Sequence, residues 1–320
     1  MISTITSNWD ANCVKNAKTP ELLDVIKIVN DNGIWFDKQI ANEDYLASAA
    51  TCTEKAKYYY SCTCGEKGTE TFESGETLAH TFDQKVKDEK YAVEGNACKY
   101  HYSCVCGAKG EETFANVNPV EVAVTLADDS VAGLDAGTYY EYNKEQYIVG
   151  LTAFATIGEA LTYATETVYV AAGEYNENIT ISKSNIKLLG NNANVNPNIQ
   201  NRKDESILTN KLNLAKDVKG VTVSGLYFTL DAQFKCASKG GNDDIVFEYN
   251  VFDNEITAVG GYDSRAAEVL FNPTSGNYNK NLTVRHNRFL STGGKTYHVF
   301  LTNIENFYAY GNYFEGTYAQ

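Results

Sequence analysis

The stretch AFATIGEALTYATETVYVAAGEYNENITISKSNIKLLG, residues 153–190, changes hydrophobic period part-way along, and that change restricts what the chain can fold into. Phe154, Ile157, Ala160, Leu161 and Ala164 recur at helical spacing, which puts them on one face of a short helix. Val168 and Val170, then Ile179, Ile181, Ile186 and Leu188, alternate with polar or small residues as half-buried strands do. Turn chemistry separates the strands at Ala172-Gly173-Glu174, Ser182-Lys183-Ser184-Asn185 and Gly190-Asn191-Asn192. A short helix followed by short, regularly spaced strands predicts the N-terminal cap and first turns of a right-handed parallel β-helix. The cap is physically required, because the end of such a solenoid exposes apolar side chains and unpaired strand edges.

Later coils repeat loosely at Val223–Phe228, Phe247–Phe252, Val284–Phe289 and Tyr308–Phe314. In each, Gly or Asn turns the backbone between strands and a Phe two or three residues on fills the interior. Asn tolerates left-handed geometry and stacks into hydrogen-bonded ladders. Phe300, Phe307 and Phe314 are expected in the core. The uneven spacing of the motifs requires long loops around 191–210 and 253–280.

The motifs F-x-T-I-x-x-A-L, V-x-V-x-x-G-x-Y-x-E-N-I-x-I and N-I-x-L-L-G in residues 154–190 resemble the opening of pectin methylesterases and of the wider pectate-lyase-like β-helix superfamily. The resemblance implies the fold and a polysaccharide-active lyase or esterase as one functional reading. Methylesterases use two aspartates with an arginine and glutamines nearby; pectate lyases use an acidic calcium cluster and an arginine base. Candidates by that resemblance are Asp231, Asp243, Asp244, Asp253, Asp263 and Arg265, with Asp263-Ser264-Arg265 the closely spaced acid–arginine pair among them. The esterase motifs Gln-Asp-Thr-Leu, Asp-Phe-Ile-Phe-Gly and Gly-Arg-Pro-Trp are missing. Asp243-Asp244 after Gly240-Gly241-Asn242 is a candidate calcium-binding turn.

Upstream, the chain repeats itself. Residues 36–72 align with 82–114 at an offset of 46 through the first cysteine and 42 after a four-residue deletion. Such repeats mark small modules, predicted here at 36–81 and 82–115, after a lead segment 1–35 with a short helix over 20–29. They resemble the cysteine-containing repeats of large surface proteins of Gram-positive gut bacteria, which close with Leu-Gly-His and an aromatic. Leu78-Ala79-His80-Thr81-Phe82 departs from that closure at Ala79, and no closure follows the second module. Residues 116–150 are expected to link onward through a strand at 120–126 and a hairpin over Asn143-Lys144, with the β-helix spanning 151–320.

Six of the eight cysteines lie in the repeats: Cys52, Cys62 and Cys64, then Cys98, Cys104 and Cys106. Within a strand, Cys62 and Cys64 would share a face, as would Cys104 and Cys106, and a bond between such close neighbours is unfavourable. Two staples remain open. One is a disulfide from Cys52 or Cys98 to one member of each pair. The other is a Cys₃His zinc site, with His80 completing Cys98, Cys104 and Cys106. Modules this small need such a staple. Cys13 and Cys236 are left over as a free or buried pair.

A net charge of −14 argues against nucleic acid or an anionic membrane as partner, and no apolar stretch is long enough to span a bilayer. Arg285, His286 and Arg288 form the one basic cluster, expected as outward strand positions or as an anion site. The N-terminus shows no basic and apolar leader pattern. The expected function is an extracellular, cell-surface or virion-surface structural and adhesive protein that contacts glycans or a host surface. A polysaccharide-active enzyme and an architectural spacer of a surface or phage-fibre assembly are the alternatives. The chain stops directly after a coil motif, so continuation beyond Gln320, or cover by another chain or by self-association, is expected at that end.

Overall fold

Alternating apolar residues and turn-forming Gly and Asn make the described residues mostly β. A computed structural model describes residues 36–236, 240–254, 267–274, 277–290 and 297–315. The predicted helix at 20–29, Cys13, Asp263 and Arg265 lie outside the described residues. Two compact units emerge. One comprises residues 36–91 and 101–113, the other residues 92–100 and 114–315.

In the first unit, β1 (Leu46–Ser48), β2 (Ala56–Ser61) and β3 (Lys67–Ser74) form an antiparallel sheet. The second repeat forms the hairpin β4 (Lys99–Ser103) and β5 (Lys109–Ala115), whose residues divide between the two units. The repeats are structural as well as sequential. Tyr45 Oη donates to the Gly65 carbonyl at 3.1 Å, and Tyr91 Oη donates to the Gly107 carbonyl at 3.1 Å. Gly68 lies against Phe36, and Gly110 lies against Phe82; a Cβ would come within 2.8 Å and 2.9 Å of the respective rings. Each Cys-x-Cys-Gly sits in the turn after the strand rather than in the strand. Gly65 N–H donates to the Cys62 carbonyl, and Gly107 N–H to the Cys104 carbonyl. The shared-face argument for the cysteine pairs therefore fails, because the period-two rule holds only in extended backbone.

In the second unit, β6 (Val122–Ala127) lies within the 116–150 stretch but already belongs to the parallel sheet that follows. β7 (Tyr139–Tyr142) and β8 (Glu145–Ile148) pair as the expected hairpin. Asn143 and Lys144 both adopt positive φ, the two-residue turn that matches strand twist. After β9 (Ala153–Phe154) comes α1 (Ile157–Tyr163). Thr156 caps α1 by accepting from Glu159 N–H, and the Glu177 carboxylate accepts from the N–H groups of Ile157 and Gly158 at 2.8 and 3.0 Å. These bonds satisfy the orphan donors of the first turn. Ile157, Ala160 and Leu161 are the buried face and join the main core.

Beyond α1 the chain visits three parallel sheets in rotation. The eight-stranded sheet contains β6, β9, β10 (Ala164–Val170), β13 (Lys187–Gly190), β16 (Lys219–Ser224), β19 (Asp243–Glu248), β22 (Asn279–Arg285) and β25 (Ile304–Tyr310). The six-stranded sheet contains β11 (Gly173–Tyr175), β14 (Ser206–Leu208), β17 (Leu226–Leu230), β20 (Val251–Asn254), β23 (Arg288–Phe289) and β26 (Tyr313–Phe314). β12 (Ile179–Ile181), β15 (Leu212–Leu214), β18 (Phe234–Cys236), β21 (Ala267–Phe271) and β24 (Tyr297–Leu301) make the third. Long parallel sheets visited in this order are compatible with a β-helix. The expected turn at Ala172–Glu174 is instead the start of β11, because Gly173 to Tyr175 pair with Ser206 to Leu208.

Register aligns like residues into interior columns. Tyr175, Leu208, Phe228, Phe252, Phe289 and Phe314 occupy one, and the rings of Phe228, Phe252, Phe289 and Phe314 stack at 4.5, 4.9 and 4.8 Å. That repeat is the spacing of neighbouring strands. Phe307 and Phe314 continue interior columns yet are 40% and 47% exposed, since they belong to the last described circuit. Phe300 is not a core residue. It pairs with half-buried Leu270, one position out of phase with the interior pair Val269 and Val299.

Candidate metal centre and sheet-face cavity

Two features of the described residues carry chemistry, one in each unit. In the first unit, Thr51 accepts a hydrogen bond from Leu78 N–H at 2.9 Å, and this brings the 78–80 segment beside Cys52. Cys52 Sγ lies 3.5 Å from Cys104 Sγ, and His80 Nδ1 lies 3.3 Å from Cys106 Sγ. All four ligand atoms fall within 4.8 Å of one another. The His80 ring stacks on Phe82 at 5.7 Å, and Phe82 is seated on Gly110, so packing holds the imidazole in place.

The turn shapes the sulfur electrostatics. In the first repeat the N–H groups of Cys64 and Glu66 donate to Cys62 Sγ at 3.1 and 3.3 Å. In the second, the backbone hydrogen bond from Cys106, followed by that from His80, draws the Cys104 thiol down to about 6. Hydrogen bonds to its neighbours Cys106 and Cys104 push Cys52 the other way, to about 11. Of the two crowded thiols Cys104 and Cys52, one ionises easily and the other resists, as close like charges require.

The expected ligand set was His80, Cys98, Cys104 and Cys106. The structure brings together His80, Cys104 and Cys106 but replaces Cys98 by Cys52. Cys98 is buried in the other unit and backed by Gly137, where a Cβ would meet the Cys98 Cβ at 2.7 Å. Burial pushes its thiol up. Cys62 and Cys64 are joined to each other as a disulfide, contrary to the expectation that each must look elsewhere, because the turn rather than a strand carries them. His101 is outside the cluster, with its Nδ1 buried. The exchange of Cys52 for Cys98 had one legible signal: His80 closes the first repeat, not the second.

In the second unit, a cavity of about 180 Å³ lies on the outer face of the six-stranded sheet, under the 191–205 loop. Arg202, Glu205, Tyr227 and Arg288 line it. Arg202 spans it, with one terminal nitrogen donating to the Tyr249 carbonyl and the other to Glu205 and the Gly225 carbonyl. Arg288 lies over the Tyr313 ring, 5.2 Å from its centre. The Nε groups of both arginines are buried without a hydrogen-bond partner in the structure. Tyr227 donates to Asp253 at 2.6 Å, and desolvation holds its phenol well above the usual tyrosine range.

The expected basic cluster does not hold together. Arg285 pairs with Glu248 across neighbouring strands of the eight-stranded sheet, Nε donating at 2.6 Å, and donates to Tyr310 Oη. His286 turns the corner at positive φ, stacked on Tyr249 at 5.5 Å. Only Arg288 reaches the cavity, because the corner at His286–Asn287 sends residues on either side to different sheets. Asp243 accepts from Asn281 at 2.8 Å, and among the described residues no group of three or more carboxylates comes together there. Cys236 is half-buried and accepts from Asn279 at 3.5 Å.

Comparison of the chain with protein-family models, curated proteins and solved structures finds no match. No helix among the described residues is long and apolar enough to cross a membrane.

Proposed function

We propose that the chain is a right-handed parallel β-helix, capped at its start by α1 and carrying small cysteine-stapled modules, that acts as an extracellular or virion-surface adhesive protein. Its ligands on this reading are glycans rich in hydrogen-bond acceptors, uronate-bearing ones first. The observation that carries the reading is the pair of buried, unpartnered Nε–H donors of Arg202 and Arg288 lining one cavity. A buried donor without a partner costs on the order of 1–3 kcal/mol, so two in one cavity favour an acceptor from outside. The guanidinium fork suits a carboxylate, and the phenol of Tyr227 adds a planar surface and a hydroxyl.

Glycan-array binding followed by calorimetry tests this. Oligouronates are expected to be retained by the native chain, and Arg288→Ala to weaken them about tenfold or more, with unchanged secondary structure. Equal retention by the native chain and Arg288→Ala would remove the cavity from the reading. Release of unsaturated uronates or of methanol in the same incubation would replace adhesion with the enzymatic alternative. Absence of binding to any glycan would leave the spacer.

A further inference from the structure

Numbered by repeat, the four clustered ligands come from two places. Cys52 and His80 belong to the first repeat, Cys104 and Cys106 to the second. The first-position cysteine of one repeat therefore meets the Cys-x-Cys turn of the next, and neither repeat uses its own triad. We propose that Cys52, His80, Cys104 and Cys106 bind one zinc ion that clasps the first repeat to the second. The inference is independent of the glycan reading.

Three observations support it. Three thiols and an imidazole are the donors of a structural zinc site. Ligands about 2.0–2.3 Å from a tetrahedral zinc lie about 3.5–3.8 Å apart, and the contacts of 3.5 and 3.3 Å already approach those edges. The turn that closes with Gly107 N–H on the Cys104 carbonyl sets Cys104 against Cys52 and Cys106 against His80, so the two halves of the ligand set already face each other. Binding holds all three sulfurs as thiolates, any proton they carry passing to solvent, and leaves His80 to coordinate through neutral Nδ1. The two half-sites outside the clasp account for the remaining cysteines of the repeats. Cys62 and Cys64 meet no such partners among the described residues and are joined to each other, while Cys98 is sealed behind Gly137. The expected stoichiometry is thus one ion per chain, not one per repeat.

The test uses the full chain, purified with reductant, loaded with zinc and dialysed. Elemental analysis should give one zinc per chain. Cobalt(II) in its place should give the visible absorption of a tetrahedral ion with thiolate charge-transfer bands. In competition with a chromophoric chelator, Cys52→Ser and Cys106→Ser should each weaken zinc about 100-fold or more, and Cys98→Ser by less than about twofold. His80→Cys should keep the ion while shifting the cobalt spectrum towards four thiolates, a gain that holds even if the serine variants fold poorly. Two ions per chain, or equal losses from Cys98→Ser and Cys52→Ser, would overturn the clasp. So would a Cys52–Cys104 disulfide found by peptide mapping of the zinc-loaded protein.

Discussion

The Asn287 side chain accepts the backbone N–H of Asn250 at 2.9 Å, one circuit away, and its own amide donates to the Phe247 carbonyl at 2.9 Å. Asn312 does the same for Asn287, and Asn250 for Leu226, so a buried ladder of asparagines runs along one corner. Each side chain replaces the strand-to-strand bonds that the corner interrupts. Asn287→Ala leaves the buried Asn250 N–H and the Phe247 carbonyl unpaired, which costs about 2–4 kcal/mol. A lowered urea midpoint with unchanged slope checks this; a change under about 0.5 kcal/mol would show the ladder to be ornamental.

The phenylalanine column predicts a gradient. Phe252 is fully buried between Phe228 and Phe289, so Phe252→Ala should destabilise by about 3–5 kcal/mol. Phe314 stacks on Phe289 and meets the His298 ring but is half open to solvent, so Phe314→Ala should cost less than about half of that. Equal losses in thermal or chemical unfolding would contradict the burial difference.

Gly110 predicts a steric effect in the cysteine-bearing unit. Its hydrogen faces the Phe82 ring, and a methyl there would sit 2.9 Å from Phe82 Cγ. Gly110→Ala should destabilise by about 1–3 kcal/mol and shift Phe82 from beneath His80. The readout is protease sensitivity within residues 36–113, which should rise while cleavage of the parallel sheets stays unchanged.

A buried acid predicts a pH response. Glu268 is fully buried with one oxygen on His298 Nδ1 at 2.7 Å and the other unpartnered. Desolvation, opposed by His298 and reinforced by Asp253, pushes its carboxyl up to about 7. The folded chain thus keeps this proton to higher pH than the unfolded chain does. Its contribution to stability is complete below the ordinary carboxyl range and is lost as pH rises towards 7, by about 1.4 kcal/mol per unit. Relative to Glu268→Gln, the native chain should lose stability between pH 4.5 and 7. Parallel denaturation curves across that range would show that Glu268 ionises without penalty.

Much of the parallel-sheet unit was legible in residues 153–190 because apolar period, turn residues and strand length are local properties. The helix face of Ile157, Ala160 and Leu161, the hairpin turn at Asn143-Lys144 and the asparagine corners all follow from short-range backbone preferences. What each outward side chain meets is not local. Arg285 and Arg288 are three residues apart, yet a corner places one beside Glu248 and the other at the cavity. The repeat made six cysteines visible as a set, and His80 visible as a ligand. Which cysteine completes that ligand set depended on Leu78 bonding to Thr51 and on Gly137 closing over Cys98. Those are contacts between segments distant in sequence, and only packing decides them.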